Sequence, residues 1–246
     1  MAIRDLASER LYITAGLAPG NTIPLGESQA HYLLNVLRMA AGSRVLVFNG
    51  RDGEYAAEVR DVKKRTANLH VLSETRPQDT GPDIDYVFAP LKRSRLDYMV
   101  QKATEMGCAR LRPVLTQHTI AERINIDRMT ANAIEAAEQC GILRVPDVTA
   151  PEQLDKLLSG WDARRALIFC DEQAAGGGAL AALDGLRPGP LAVLIGPEGG
   201  FSETERTALL GKPFVRAIAL GPRIMRADTA AVAALALVNA VLGDWR

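Results

Sequence analysis

No charge of one sign dominates this chain: 29 Lys and Arg stand against 29 Asp and Glu in 246 residues. It therefore lacks the bulk positive charge that can mark a nucleic-acid binder, although binding needs only a local basic face. Cysteine is scarce. Cys108, Cys140 and Cys170 are odd in number, far apart and free of C-x-x-C spacing, which argues against a disulfide framework or a zinc site. His31, His70 and His118 have no metal-ligand spacing either, and no metal is expected. The longest apolar run, Ala230 to Val238, is too short to cross a bilayer. The opening MAIRDLASERLYI has no apolar core or small-residue cleavage site, so no signal peptide, no membrane contact and a soluble cytoplasmic protein are expected. No G-x-x-x-x-G-K-[ST] occurs, and no G-x-G-x-x-G lies between a strand and a helix. P-loop and ordinary Rossmann cofactor binding lose their support.

What is present is apolar and patterned. At 48% hydrophobic residues the chain can bury one large core or two modest ones. Up to about Ser73 the runs RLYI, RVLVFNG, EYAAEV and ANLHVLSE are strand-like and separated by glycines. Glu27 to Leu37 places Ala30, Leu33, Leu34 and Leu37 at helical spacing, so a small β-barrel with one helix is expected over residues 1–74. TRPQDTGPD, within residues 75–83, has the composition of a linker. Over residues 84–246 strand and helix patterns alternate, which predicts an α/β domain with a mostly parallel sheet. Ser94 with Asp97 and Ser202 with Glu205 have the spacing of helix-starting capping boxes.

Two segments carry the chemistry. LIGPEGGFSETE (Leu194 to Glu205) and LGPRIMRADTA (Leu220 to Ala230) each run from an apolar strand through a Gly/Pro loop into a helix start. Such loops lie at the carboxyl edge of the sheet, where ligands of open α/β folds bind. Glycines without Cβ atoms let backbone approach a flat ligand, and Ile224 and Met225 are apolar enough to cover an adenine. The glycine run Gly176 to Gly178 reads as a loop without a role.

Together these segments resemble the cofactor end of the SPOUT class of S-adenosyl-L-methionine (SAM) methyltransferases, and the whole chain resembles the bacterial RsmE family. The likeness is sharpest at QKATEMG (Gln101 to Gly107), EAAEQCG (Glu135 to Gly141) and the two loops, with His31 and Val36 to Arg38 in the front part. It implies a C-terminal SPOUT (trefoil-knotted) α/β methyltransferase domain preceded by a small PUA-like, RNA-binding β-barrel domain. It further implies a homodimer that methylates N3 of one uridine in 16S rRNA within the small ribosomal subunit. The expected cofactor contacts are Leu194, Ile195, Gly196, Glu198, Gly199, Gly200, Leu220, Gly221, Ile224, Met225 and Thr229. Arg4, Arg10, His31, Arg38, Lys92, Arg93 and Arg95 are the expected RNA contacts. The sequence departs from the family pattern at Gln117 and His118 after Thr116, and at Ile142 and Leu143 before Arg144.

The implied reaction displaces the methyl of a sulfonium by uracil N3. It needs a base for the N3 proton and a cation for charge spreading onto O2 and O4. Arg226 is assigned the charge, with Glu198 or Asp228 as base or positioner. A structural salt bridge of Arg226 to Asp228, and backbone capping by Glu198, are the competing readings. Ribose 2′-O methylation and a non-catalytic ribosome-assembly factor are the rival functions.

Overall fold

The computed structural model describes residues 9–120, 124–174 and 178–245. Its contacts divide them into two units. The first comprises the described residues up to Thr80 together with Ala137–Val145, and the second comprises Gly81–Ala136 with the chain from Pro146 onward.

In the first unit, β1 (Arg10–Tyr12), β2 (Thr22–Pro24), β3 (Arg44–Phe48), β4 (Glu54–Arg60) and β5 (Asn68–Arg76) form a curled sheet of order β1-β3-β4-β5-β2. Alternation sets its inner face: Val45 and Val47, Ala57 and Val59, Leu69 and Val71 all point into one core with Leu11, Ile23 and Leu33. The expected helix starts on time as α1 (Glu27–His31), but passes into a turn of π-helix at Tyr32–Val36. Leu37 N–H closes that turn on Tyr32 O at 2.9 Å. Arg38 follows in the left-handed region, φ 56°.

Arg10, expected to face RNA, is corrected by this unit. It is 7% exposed, stacks over Phe48 with 4.3 Å to the ring centroid, and pairs with Glu54 at 2.8 Å. Its remaining donors go to the carbonyls of Ala137 and Glu138 within the EAAEQCG motif and of Ile142 just after it. A guanidinium placed in the interior is tolerable only with such complete pairing. Arg76 completes the cluster with bonds to Glu54 and to Gly141 O. Leu143, one of the two departures after that motif, packs with Phe48 and Ala137.

The second unit is a parallel sheet of order β12-β10-β11-β6-β7-β8, with β9 beside β7. Its strands are β6 (Ile84–Phe88), β7 (Arg110–Leu115), β8 (Asp147–Val148), β9 (Glu152–Gln153), β10 (Ala166–Cys170), β11 (Leu191–Ile195) and β12 (Val215–Ile218). The helices are α2 (Arg93–Glu105), α3 (Ile126–Cys140), α4 (Leu154–Ser159), α5 (Gly178–Leu183), α6 (Glu203–Leu210) and α7 (Ala227–Val241). Leu154, Leu157 and Leu158 of α4 and Leu209 of α6 share a core with Val87, Phe169, Ala192 and Leu194, while α7 packs against α2, α5 and β11. With both faces covered, β6 and β11 are buried at every position, and such strands read as unbroken apolar runs. Under the sheet, Asp85 is wholly buried among Arg110, Arg112 and Arg165.

Two local expectations diverge. Ser202 caps α6 and Glu205 returns the bond, so that capping box forms. Ser94 caps nothing: α2 begins one residue earlier with Lys92 at the cap, and Asp97 instead accepts hydrogen bonds from Arg128 and Asn132. Gly178 opens α5, while Gly176 and Gly177 lie outside the described residues.

Candidate active site

The carboxyl ends of β10, β11 and β12 open into a cavity of about 570 Å3, inside the range of small-molecule sites, roughly 300–1,000 Å3. Strand order explains its position. Since β10 lies between β11 and β12, the loops after all three strands meet around one hollow, with the β11 and β12 loops as its two main walls.

The first wall runs from Gly196 to Phe201. A Cβ on Gly196 would stand 2.5 Å from the Phe201 ring, so this turn closes only on glycine. Phe201 in turn meets Phe169 edge-on, centroids 5.1 Å apart. His118 holds the same loop from outside, its Nδ1 3.1 Å from the carbonyl oxygens of both Gly199 and Gly200. The ring nitrogen must carry the proton there, because both partners are acceptors. Gln117 N–H donates to Glu205 at 2.8 Å. The departure at Gln117 and His118 thus buttresses the wall.

The second wall runs from Leu220 to Arg226. Gly221 takes φ 112°, a conformation that side chains disfavour, and the chain then presents Ile224, 87% exposed, beside Met225. Arg226 is the N-cap residue of α7 with extended backbone. It lines the cavity, its carbonyl accepts the Ala230 N–H, and its side chain makes no hydrogen bond or ion pair with any described residue, so its guanidinium is free for a ligand.

Elsewhere on the lining, Arg223 and Glu172 also carry unpaired side chains among the described residues, while the remaining charges are paired. Asp171 binds Arg206 at 2.9 Å. Arg95, in the first turn of α2, pairs with Glu198 and lies 3.9 Å from the Asp228 carboxylate, whose other oxygen accepts the Thr229 N–H at 2.8 Å. The salt bridge of Arg226 to Asp228 does not form. Burial pushes the Cys170 thiol up to about 12, so it stays protonated and unreactive at neutral pH.

Ten of the residues expected on sequence line the cavity: Ile195, Gly196, Glu198, Gly199, Gly200, Leu220, Gly221, Ile224, Met225 and Arg226. Leu194 and Thr229 do not; Leu194 points into the core shared with α4 and α6. Asp228 reaches the site only through Arg95. The end of β10 and the loop after it were missed on sequence; they put Phe169 and Cys170, then Asp171, Glu172 and Gln173, on the lining, and Arg206 and Arg223 were missed as well. The signal for the first five was the ALIFC strand followed by Asp-Glu-Gln at the same sheet edge, overlooked for want of glycine. Among the residues expected to bind RNA, Arg4 lies outside the described residues. Arg38, Lys92 and Arg93 are exposed, and exposed His31 borders a second hollow of about 300 Å3 with Lys64 and Arg65.

The RNA methyltransferase domain family matches residues 79–239, and the RNA methyltransferase PUA domain family matches residues 25–72. A ribosomal RNA small subunit methyltransferase E of Synechocystis sp. is 31% identical over 227 residues, covering 90% of this chain and 74% of that protein. The chain belongs to the ribosomal RNA small subunit methyltransferase E family. A second methyltransferase E, from Rickettsia conorii, is 28% identical over 94% of both chains. A crystal structure of the Neisseria gonorrhoeae methyltransferase E, bound to S-adenosyl methionine, aligns with a TM-score of 0.88 at 26% identity. That alignment covers 97% of this chain and 100% of the other. A PUA-like unit together with a SPOUT-type parallel-sheet unit is therefore the fold of a methyltransferase E.

Proposed function

We propose that this protein transfers the methyl group of SAM to N3 of a uridine in 16S rRNA, acting in the cytoplasm as a homodimer on the small ribosomal subunit. The observation that carries the reading is the cavity itself: glycine-built walls wide enough for an adenosine, with the unpaired guanidinium of Arg226 at the start of α7 on the lining beside that of Arg223. SAM supplies a methyl on a sulfonium that departs as a neutral thioether, so the chain has only to position the base, take one proton and stabilise one charge.

The apolar Ile224 and Met225 and the bare backbone of Gly196, Gly199 and Gly221 suit a flat purine. A uracil at the mouth would place O4 or O2 against Arg226, which offsets the negative charge formed when N3 loses its proton. Glu198, on the lining, is the better placed proton acceptor; Asp228 is one step removed. Because pairing hides the N3 edge, the target nucleotide must be unpaired or turned out. Exposed Lys92, Arg93, Arg38 and His31 are the side chains offered to RNA. The dimer reading is supported by α7, whose second face of Val232, Ala233, Ala236 and Leu237 is only partly covered.

The test is methyl transfer from labelled SAM to small subunits lacking the mark, followed by nucleoside analysis. Label in 3-methyluridine is the expected result. Label in a 2′-O-methyl nucleoside would move the reading to ribose chemistry, and no transfer with SAM bound would leave an assembly factor.

A further inference from the structure

We infer that Arg95 is a positioning residue that ties together the two walls of the cofactor cavity; the inference rests on the SAM reading above. The walls follow strands that are not neighbours in the sheet, and among the described residues no hydrogen bond or ion pair runs directly between Gly196–Phe201 and Leu220–Arg226. Arg95 supplies the missing link. From the first turn of α2 it pairs with Glu198 on one wall and approaches Asp228, directly behind the other, at 3.9 Å. Lys92 and Arg93, three and two residues before it, are exposed, and their side chains form no ion pair with the described residues. Arg95 is two-thirds covered, and Asp228 more so.

The residue type matters. A planar guanidinium directs donors along two edges and can serve two carboxylates at once, whereas an ammonium is a single point charge. Arg95 thereby also engages both carboxylates that are candidates for the base, and fixes Glu198 at the mouth. Part exposure limits the size of the effect, since pairs of this kind are worth about two- to fivefold in an equilibrium constant.

SAM binding to the full-length protein, measured by titration calorimetry, tests this with wild type, Arg95→Ala, Arg95→Lys, Glu198→Gln and the double variant Arg95→Ala/Glu198→Gln. Each of Arg95→Ala and Glu198→Gln should weaken SAM about two- to fivefold. The double variant should be no weaker than the worse single one, because both remove the same link. Arg95→Lys should recover part of the loss, and the difference from wild type should shrink at 0.5 M salt. Penalties that multiply, or no penalty from Arg95→Ala, overturn the inference while leaving SAM binding intact. A wild type that fails to bind SAM overturns the cofactor reading and this inference with it. Unfolding midpoints of each variant separate a loosened cavity from a damaged fold, and Arg95→Lys keeps the test open should Arg95→Ala not fold.

Discussion

Arg226 stands at the cavity with its guanidinium donors unused, a state that costs little in water and that, on the proposed reading, would gain value with a uracilate enclosed beside it. Arg226→Ala should lower the methyl-transfer rate by about 100-fold, the scale for removing one preorganised charge partner, with SAM affinity held within a few-fold. Single-turnover rates alongside calorimetry decide it, and an undiminished rate would take Arg226 off the catalytic list. Gly196 makes the opposite argument, since its part is to have no side chain. Gly196→Ala places a methyl against the Phe201 ring, and overpacking of this kind costs about 1–3 kcal/mol, so SAM binding should fall at least several-fold in a protein that still folds. Placement on the cavity was legible in the sequence for the glycines and for Arg226, because they lie in Gly/Pro loops that follow apolar strands. The place of Arg10 was illegible, because nothing local in RLYI says that Glu54 and three distant carbonyls will enclose it.

At the level of elements, two helix starts with like spacing behave differently. Ser202 and Glu205 exchange bonds at the head of α6, whereas Ser94 is passed over and Asp97 turns to Arg128 on α3. Ser202→Ala should cost about 1 kcal/mol in denaturant unfolding, and Ser94→Ala should leave the midpoint unchanged. Equal losses would mean that the two serines are equivalent after all. Spacing alone does not separate them, because a tertiary partner competed for the acid. The same limit explains which elements escape a reading of the chain. β6 and β11 are covered on both faces and announce themselves as apolar runs, but β2, β8, β9 and α4 are two to six residues long, too short for any period to develop. The turn of π-helix at Tyr32–Val36 shares the apolar spacing of the α-helix that precedes it, so only its hydrogen bonding reveals it.

For the molecule as a whole, stability should depend on pH through a few enclosed carboxylates. Burial alone would raise the Glu54 carboxyl, yet hydrogen bonds and charge from Arg76 and Arg10 outweigh it and hold the group below its ordinary 4.5. A carboxyl whose folded value is depressed adds stability above the ordinary value, and loses it as pH falls from there through the folded value. Asp97 acts in the same direction, held below 3.8 by Arg128. Thermal unfolding should be flat from pH 7 to about 5 and decline below pH 4.5, with a shallower decline in Glu54→Gln. A steep loss between pH 7 and 5 would point to other groups. Removing Arg10 instead leaves an enclosed carboxylate half-paired, and Arg10→Ala should cost about 3–5 kcal/mol.

The same cluster has a consequence for synthesis. The front unit is not one uninterrupted stretch of chain, since Ala137–Val145 belongs to it and supplies the carbonyls that Arg10 and Arg76 require. On a ribosome adding about 5–20 residues per second, those carbonyls arrive several seconds after Thr80. Through that interval Arg10, Glu54 and Arg76 must wait incompletely paired, so the first unit to be translated cannot be finished first. Nascent chains arrested with residues 1–80 emerged should be cleaved readily by protease, and chains arrested beyond Val145 should resist; protection already at the shorter length would show that the returning segment is dispensable. An enzyme that modifies ribosomal RNA would then be one whose own opening fold is completed late in its passage from the ribosome.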